Sequence, residues 1–180
     1  MGKDISCTWK WEKAEVAILI SDKIDFKTKA TVRNEEGHYV MIKGAIQQGD
    51  AALVNICAPT IGASAYIKQM LMGIKGETDG NTVIVGDLHT PWTSTARPSR
   101  QKANQETVSL NDTRYQMDLI DIFRAFHPKA EEYTFFSSAC GTFSRMLGHK
   151  TSLNEFKKIK IISSICSDHI GTKLEEGKRV

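Results

Sequence analysis

Hydrophobic positions along the chain fall into short runs separated by longer stretches of helical spacing. Ala14–Ile20 (AEVAILI) is an apolar run of strand length, and Thr82–Gly86 (TVIVG) is another. His38–Ile46 (HYVMIKGAI) and Ala51–Cys57 (AALVNIC) predict a hairpin that turns across Gln47–Asp50. Ser64–Ile74 (SAYIKQMLMGI) sets Tyr66, Met70 and Ile74 on one face of a helix. Gln105–Phe126 predicts a second, interrupted helix, after which Tyr133–Phe136, Thr142–Met146 and Ile159–Ser163 return to strands and the chain closes on the charged stretch LEEGKRV. Strand and helix mix without the steady alternation of a doubly wound sheet. The pattern therefore predicts an α+β fold, an α/β sandwich of two mixed β-sheets packed face to face with helices outside.

Composition narrows the function classes. The chain has 180 residues, enough for one domain, and its 41% of apolar residues is ordinary for a globular protein. No apolar run approaches the ~18 residues that a membrane-spanning helix needs, which argues against a membrane partner. Cys7, Cys57, Cys140 and Cys166 are too widely spaced for the close pairs that share a zinc ion. Reduced thiols in an intracellular compartment, nucleus or cytoplasm, are the expectation. A net charge of +3 does not by itself argue for nucleic acid. The basic stretches Arg97–Lys102 (RPSRQK) and Lys157–Lys160 (KKIK) read first as solvated surface.

Two motifs carry candidate chemistry. In Val83–Pro91 (VIVGDLHTP) a buried strand runs into glycine and then presents Asp87 and His89, two residues apart, at the rigid end of the strand. The plainer alternative is a carboxylate capping a turn. In Ser167-Asp168-His169 the adjacent acid and imidazole point to opposite faces of an extended chain, so each needs a partner elsewhere. A serine-hydrolase elbow is absent, because Gly62-Ala63-Ser64-Ala65-Tyr66 lacks the second glycine; no Walker-type glycine loop or dinucleotide-binding fingerprint occurs, and the GXXG form of Gly73–Gly76 reads better as the C-terminal turn of a helix. His38, His127 and His149 have no spaced partners and read as surface or core residues.

Taken in order, NICAPT (Asn55–Thr60), VGDLHTP (Val85–Pro91), YTFFS (Tyr133–Ser137) and SDH (Ser167–His169) resemble the endonuclease/exonuclease/phosphatase superfamily, which is deoxyribonuclease-I-like. More closely, the chain resembles the endonuclease domain of the second open-reading-frame protein of LINE-type retrotransposons. EGHYVMIKG, YIKQML, DLIDIFRAFHP and LGHKTSLNEFKK extend the likeness from about Ala14 to Glu175. The resemblance implies Mg²⁺-dependent nicking of DNA, in which a divalent cation offsets phosphate charge while acid and imidazole handle water and leaving oxygen. It implies Asp87, His89 and His169 as catalytic groups, Asp168 as a metal-facing acid, and Arg97, Thr134 and Ser167 as DNA contacts.

The same resemblance exposes departures. His89 stands where the family has Asn, and Cys57 where it has the Tyr of NIYAP. Between Arg145 and Met146 the family carries Ile-Asp-His, whose Asp orients the terminal histidine; loss of such an orienter costs on the order of 10⁴ in rate. The family's domain also begins well before the segment matching Ala14, in a region that supplies metal-holding Asn and Glu together with core strands. The expectation is thus a leader over residues 1–13, a partial domain over 14–175 that lacks N-terminal strands, and a charged tail over 176–180. It is expected to be a retrotransposon-derived endonuclease-like domain with defective catalysis and doubtful Mg²⁺ binding. A noncatalytic module binding nucleic acid or a protein partner is the alternative, and exposed sheet edges invite self-association.

Overall fold

The computed structural model describes residues 16–21, 23–46, 49–59, 61–77, 81–88, 105–127, 136–137, 142–149, 156–162 and 171–176. Among them the chain runs β1 (Phe26–Arg33), β2 (Tyr39–Ile46), β3 (Gly49–Cys57), α1 (Ala63–Ile74), β4 (Thr82–Asp87), α2 (Gln105–Gln116), β5 (Leu119–Asp121), α3 (Ile122–Phe126), β6 (Phe136–Ser137), β7 (Thr142–His149), β8 (Phe156–Ile162) and β9 (Gly171–Glu176). The architecture is α+β: a 7-stranded mixed sheet of order β1-β2-β3-β4-β7-β5, with β6 beside β7, and an antiparallel pair β8-β9.

The centre of the sheet is built on one parallel contact. β1, β2 and β3 form an antiparallel meander, and β3 then crosses over through α1 to pair parallel with β4. Alternation puts Met41, Val54, Ile56 and Ile84 on one face, where they pack with Ile67, Met70, Leu71 and Ile74 of α1 and Leu110 of α2 in one apolar cluster. The opposite face is buried as well, with Val40 3%, Ile42 2% and Val83 1% exposed. Burial on both faces explains why these strands read as continuous apolar runs. Lys68 Nζ donates to the Ser109 hydroxyl at 2.6 Å, tying α1 to α2 at the rim of the cluster.

Several elements differ from the sequence expectation. The hairpin forms, but its register closes at Ile46↔Gly49, so β3 begins ahead of Ala51. Val16–Ile20 forms no strand; the side-chain amide of Asn55 donates to the Ala17 carbonyl at 2.8 Å, and Leu19 is exposed. The interrupted helix breaks at Asp118, whose φ of 51° is left-handed, and the break holds β5. β1 is absent from the sequence reading because nearly all of FKTKATVR is exposed, leaving no apolar alternation to detect. β9 is likewise absent from it, since GTKLEE carries more charge than apolar signal. β7 runs on from Met146 to His149, and β8 covers Phe156–Ile162. Of the strand expected over Tyr133–Phe136, only Phe136 lies inside the described residues, as the start of β6.

Leu71 is fully buried at the centre of the α1 contact, whereas Met72 beside it is 59% exposed. Leu71→Ala is expected to lower the unfolding free energy by about 3 kcal/mol. Met72→Ala should stay within about 0.5 kcal/mol of the parent, and urea titration of the two variants checks the pair.

Candidate active site at the carboxyl ends of β3 and β4

Asp87 is the last residue of β4 and is 8% exposed. Its neighbours Ile84 and Leu88 belong to the helix-side cluster, so alternation turns Asp87 toward the opposite face of the sheet. Two contacts fix its backbone. Cys57 is its register partner on β3, and the N–H of Ala58 donates to the Asp87 carbonyl at 2.9 Å. On the other side β7 pairs antiparallel, matching Asp87 to Ser144, Gly86 to Arg145 and Val85 to Met146.

Gly86 makes that approach possible. Its φ is 141°, a conformation that L side chains rarely adopt, and a Cβ at this position would overlap the carbonyl oxygen of Ile56. The glycine of the VGD motif therefore lets β4 lie close against β3 immediately before the carboxylate. The β4–β7 register runs without a shift from Val83↔Gly148 to Asp87↔Ser144. This ladder therefore has no bulge at Arg145–Met146, the point where the resemblance implies three residues fewer than in the family.

A second group of side chains borders the same strand ends. The N–H of Cys57 donates to the His38 carbonyl at 2.8 Å, which brings the start of β2 beside β3. Cys57 is half-buried and forms no disulfide. The His38 imidazole meets the Tyr66 ring edge-on, with centroids 5.6 Å apart, and its Nε2 lies 3.8 Å from a Glu36 carboxylate oxygen. Tyr66 has a buried hydroxyl with no hydrogen-bond partner. Burial first, then the negative potential of Tyr39, Glu36 and Cys57, pushes its pKa up to about 12. Sequence spacing gave His38 no partner; the hairpin register, which sets it opposite the end of β3, is the signal that finds one.

Of the sequence-predicted site residues, Asp87 alone is described. His89, Arg97, Thr134, Ser167, Asp168 and His169 lie outside the described residues. Among the described residues no three His, Cys, Asp or Glu side chains come together to hold a metal. Asp87 still fits the chemistry of Mg²⁺, which is commonly held by one or two carboxylates with substrate phosphates and water supplying the remaining oxygens. No helix among the described residues is long and apolar enough to cross a membrane.

No protein-family model matches the chain. Solved structures do share its fold. The endonuclease domain of TRAS1, a telomere-specific non-LTR retrotransposon, superposes with a TM-score of 0.57 at 11% identity, over 82% of this chain and 65% of that one. The 3′ phosphatase NExo from Neisseria, bound to product DNA hairpin, gives 0.54 at 13% identity, over 88% of this chain and 72% of that one. The catalytic domain of APE2 from Xenopus laevis gives 0.52 at 18% identity, over 81% and 59%. The chain thus shares its α+β fold with these proteins, in keeping with the fold that the sequence resemblance to the endonuclease/exonuclease/phosphatase superfamily implies. It spans 65% of the length of the TRAS1 endonuclease domain.

Two outcomes test this local account. Gly86→Ala is expected to cost about 1–3 kcal/mol in stability, because the added methyl must displace the Ile56 peptide; urea unfolding measures it. For Tyr66, the folded pKa lies above the ordinary value of 10, so between about pH 10 and 12 the unfolded chain has lost a proton that the folded chain keeps. Stability from this group is whole below pH 10 and falls as pH rises through that window. Tyr66→Phe should flatten the fall without loss of stability at neutral pH, since the hydroxyl it removes has no partner.

Proposed function

We propose that the chain is a retrotransposon-derived, nuclease-like domain that holds duplex DNA with a phosphodiester against Asp87 and hydrolyses it at a strongly impaired rate. The observation that carries the proposal is the pairing of β4 with β7. A carboxylate stands at the end of β4, where a strand end forms a rigid platform for chemistry. The strand paired with it, TFSRMLGH, contains no Asp or Glu, and its residues in register with Asp87 and Val85 are Ser144 and Met146. An acid to orient an imidazole is thus missing from the strand that adjoins Asp87. The fold shared with a retrotransposon endonuclease supports the substrate class.

In this reading Asp87 readies the attacking water and Asp168 is the second acid. Asp87 and Asp168 would hold Mg²⁺, which when bound would supply charge neutralisation for the phosphodiester. His89 and His169 donate to phosphate and leaving oxygens, and His89, in place of an amide, donates with its charge dependent on pH. Arg97, Thr134 and Ser167 contact the DNA backbone. Without an orienting carboxylate, His169 is held less firmly, and a loss on the order of 10⁴ in rate follows from comparable triads.

Nicking of supercoiled plasmid by the purified chain with Mg²⁺, beside EDTA and the variants Asp87→Ala and His169→Ala, tests the proposal. No cutting above the EDTA control is expected within ordinary assay times, together with duplex binding that weakens steeply as salt rises. Efficient Mg²⁺-dependent nicking that both variants abolish would overturn the impairment. Absence of duplex binding at low salt would overturn the DNA reading and leave a module for a protein partner.

A further inference from the structure

We infer that the β8-β9 ribbon grips the phosphate backbone of duplex DNA, with Lys160 and Lys173 as paired cations below the loop that carries Ser167, Asp168 and His169. The inference rests on the DNA reading above and adds to it the surface that holds the duplex. Sequence alone reads Lys157–Lys160 as solvated surface, the ordinary meaning of a short charge run. The ladder gives that run a face and a place in the fold.

The antiparallel register sets Lys158 opposite Glu175, Ile159 opposite Leu174, Lys160 opposite Lys173 and Ile161 opposite Thr172. Cross-strand partners share a face and successive residues alternate between faces. The register therefore separates an apolar face with Ile159, Ile161 and Leu174 from a cationic face with Lys158, Lys160 and Lys173. Lys173 is exposed, so the cationic face is open to solvent there. Glu175 shares that face, with Oε1 3.3 Å from Lys173 Nζ, an exposed pair of the kind that adds little stability. Among these paired residues three lysines stand against one carboxylate.

Protection of strand edges accounts for charge on this ribbon but not for its arrangement. Lysines blunt an edge whatever stands opposite them, and two residues along the same face the ribbon does supply an opposite charge, Glu175 to Lys158. Lys160 and Lys173 are instead like charges directly across from each other, roughly 5 Å apart at the backbone, an arrangement that costs stability in the free protein. A bound anion relieves it. The pair also has a fixed relation to the proposed site. Ile162↔Gly171 closes the ladder, and residues 163–170, which include Ser167, Asp168 and His169, join those two strand ends. Lys160 and Lys173 stand two residues from that closing pair, about 7 Å down the ribbon. Duplex DNA carries about one charge per 1.7 Å of axis, so a duplex whose reacting phosphate meets this loop brings several further charges within that span.

Fluorescence anisotropy of a labelled duplex titrated with the full chain, in EDTA over a series of salt concentrations, tests the grip. Lys160→Glu, which sets an acid opposite Lys173, is expected to bind roughly tenfold more weakly at low salt. It should also lower the slope of log affinity against log salt by about two, one phosphate for each lysine withdrawn. Its thermal unfolding midpoint should equal or exceed the parent's, because a like-charged pair becomes an opposite-charged one. Lys160→Ala should lower the slope by about one, and it carries the test if the acid unsettles the ladder. Lys27→Glu, the same change of charge placed on β1, should leave the slope as it is. If both Lys160 variants keep the parent's slope, or Lys27→Glu lowers it as much, the ribbon is not the grip and the DNA reading stands. If the parent itself does not bind the duplex, both fall.

Discussion

The parallel pairing of β3 with β4 is the contact on which the rest of the structure depends. A parallel pair needs a crossover, and here α1 supplies it, laying Ile67, Met70, Leu71 and Ile74 over Val54, Ile56 and Ile84. The packing that stabilises the domain is therefore the same packing that aligns two strand ends. Because Ile56↔Gly86 and Cys57↔Asp87 are consecutive steps of one ladder, the position of the carboxylate is set by backbone hydrogen bonds and by the lack of a side chain at Gly86. A flexible loop could carry an aspartate too, but it would not hold it to this register.

How much of this was legible in the sequence follows from what each element buries. β2, β3 and β4 are buried on both faces and announce themselves as apolar runs; α1 buries one stripe and announces itself by spacing. β1 buries little and takes its conformation from hydrogen bonds to β2, a non-local cause that no window of FKTKATVR contains. β5 is hidden because Leu119 and Ile122 continue a helical spacing that only the left-handed Asp118 interrupts. The apolar run ending at Ile20 illustrates the converse error, since composition suits a strand but among the described residues Val16–Ile20 joins no ladder, and its Ala17 carbonyl is met by the Asn55 side chain instead. For the site, the motif VGD made Asp87 visible, while the apposition of His38, Tyr66 and Cys57 required the hairpin register and the placement of α1 together.

Among the described residues β1 forms an edge of the sheet, and it carries devices that oppose association. β1 presents Lys27 and Lys29 and is broken by a register shift between Thr28 and Ala30. Lys29 pairs with Asp50 across the meander, so part of that charge is spent within the sheet. Charged side chains and irregular register are the usual means by which an edge avoids templating another strand. Exposure of an edge is thus a weaker invitation to self-association than strand length alone suggests.

For Asp87, the packing that stabilises the fold and the proposed chemistry are separable. Among the described residues the apolar cluster between the sheet and α1 and α2 does not include Asp87, the described member of the set proposed to act on phosphate. Asp87 sits on the far face from that cluster, and the β4–β7 ladder stays in register through Ser144 and Met146, the stretch where the proposed reading puts a lost orienting acid. Replacing such an acid removes a catalytic contact without opening a cavity or breaking a backbone hydrogen bond, so folding exerts little pressure to keep it. Gly86 is the exception, because a side chain there would disturb the core ladder and the carboxylate together. In the reading proposed above, the domain would lose rate by several orders of magnitude and still hold DNA, since phosphate attraction depends on cationic side chains and not on the geometry of the reacting groups.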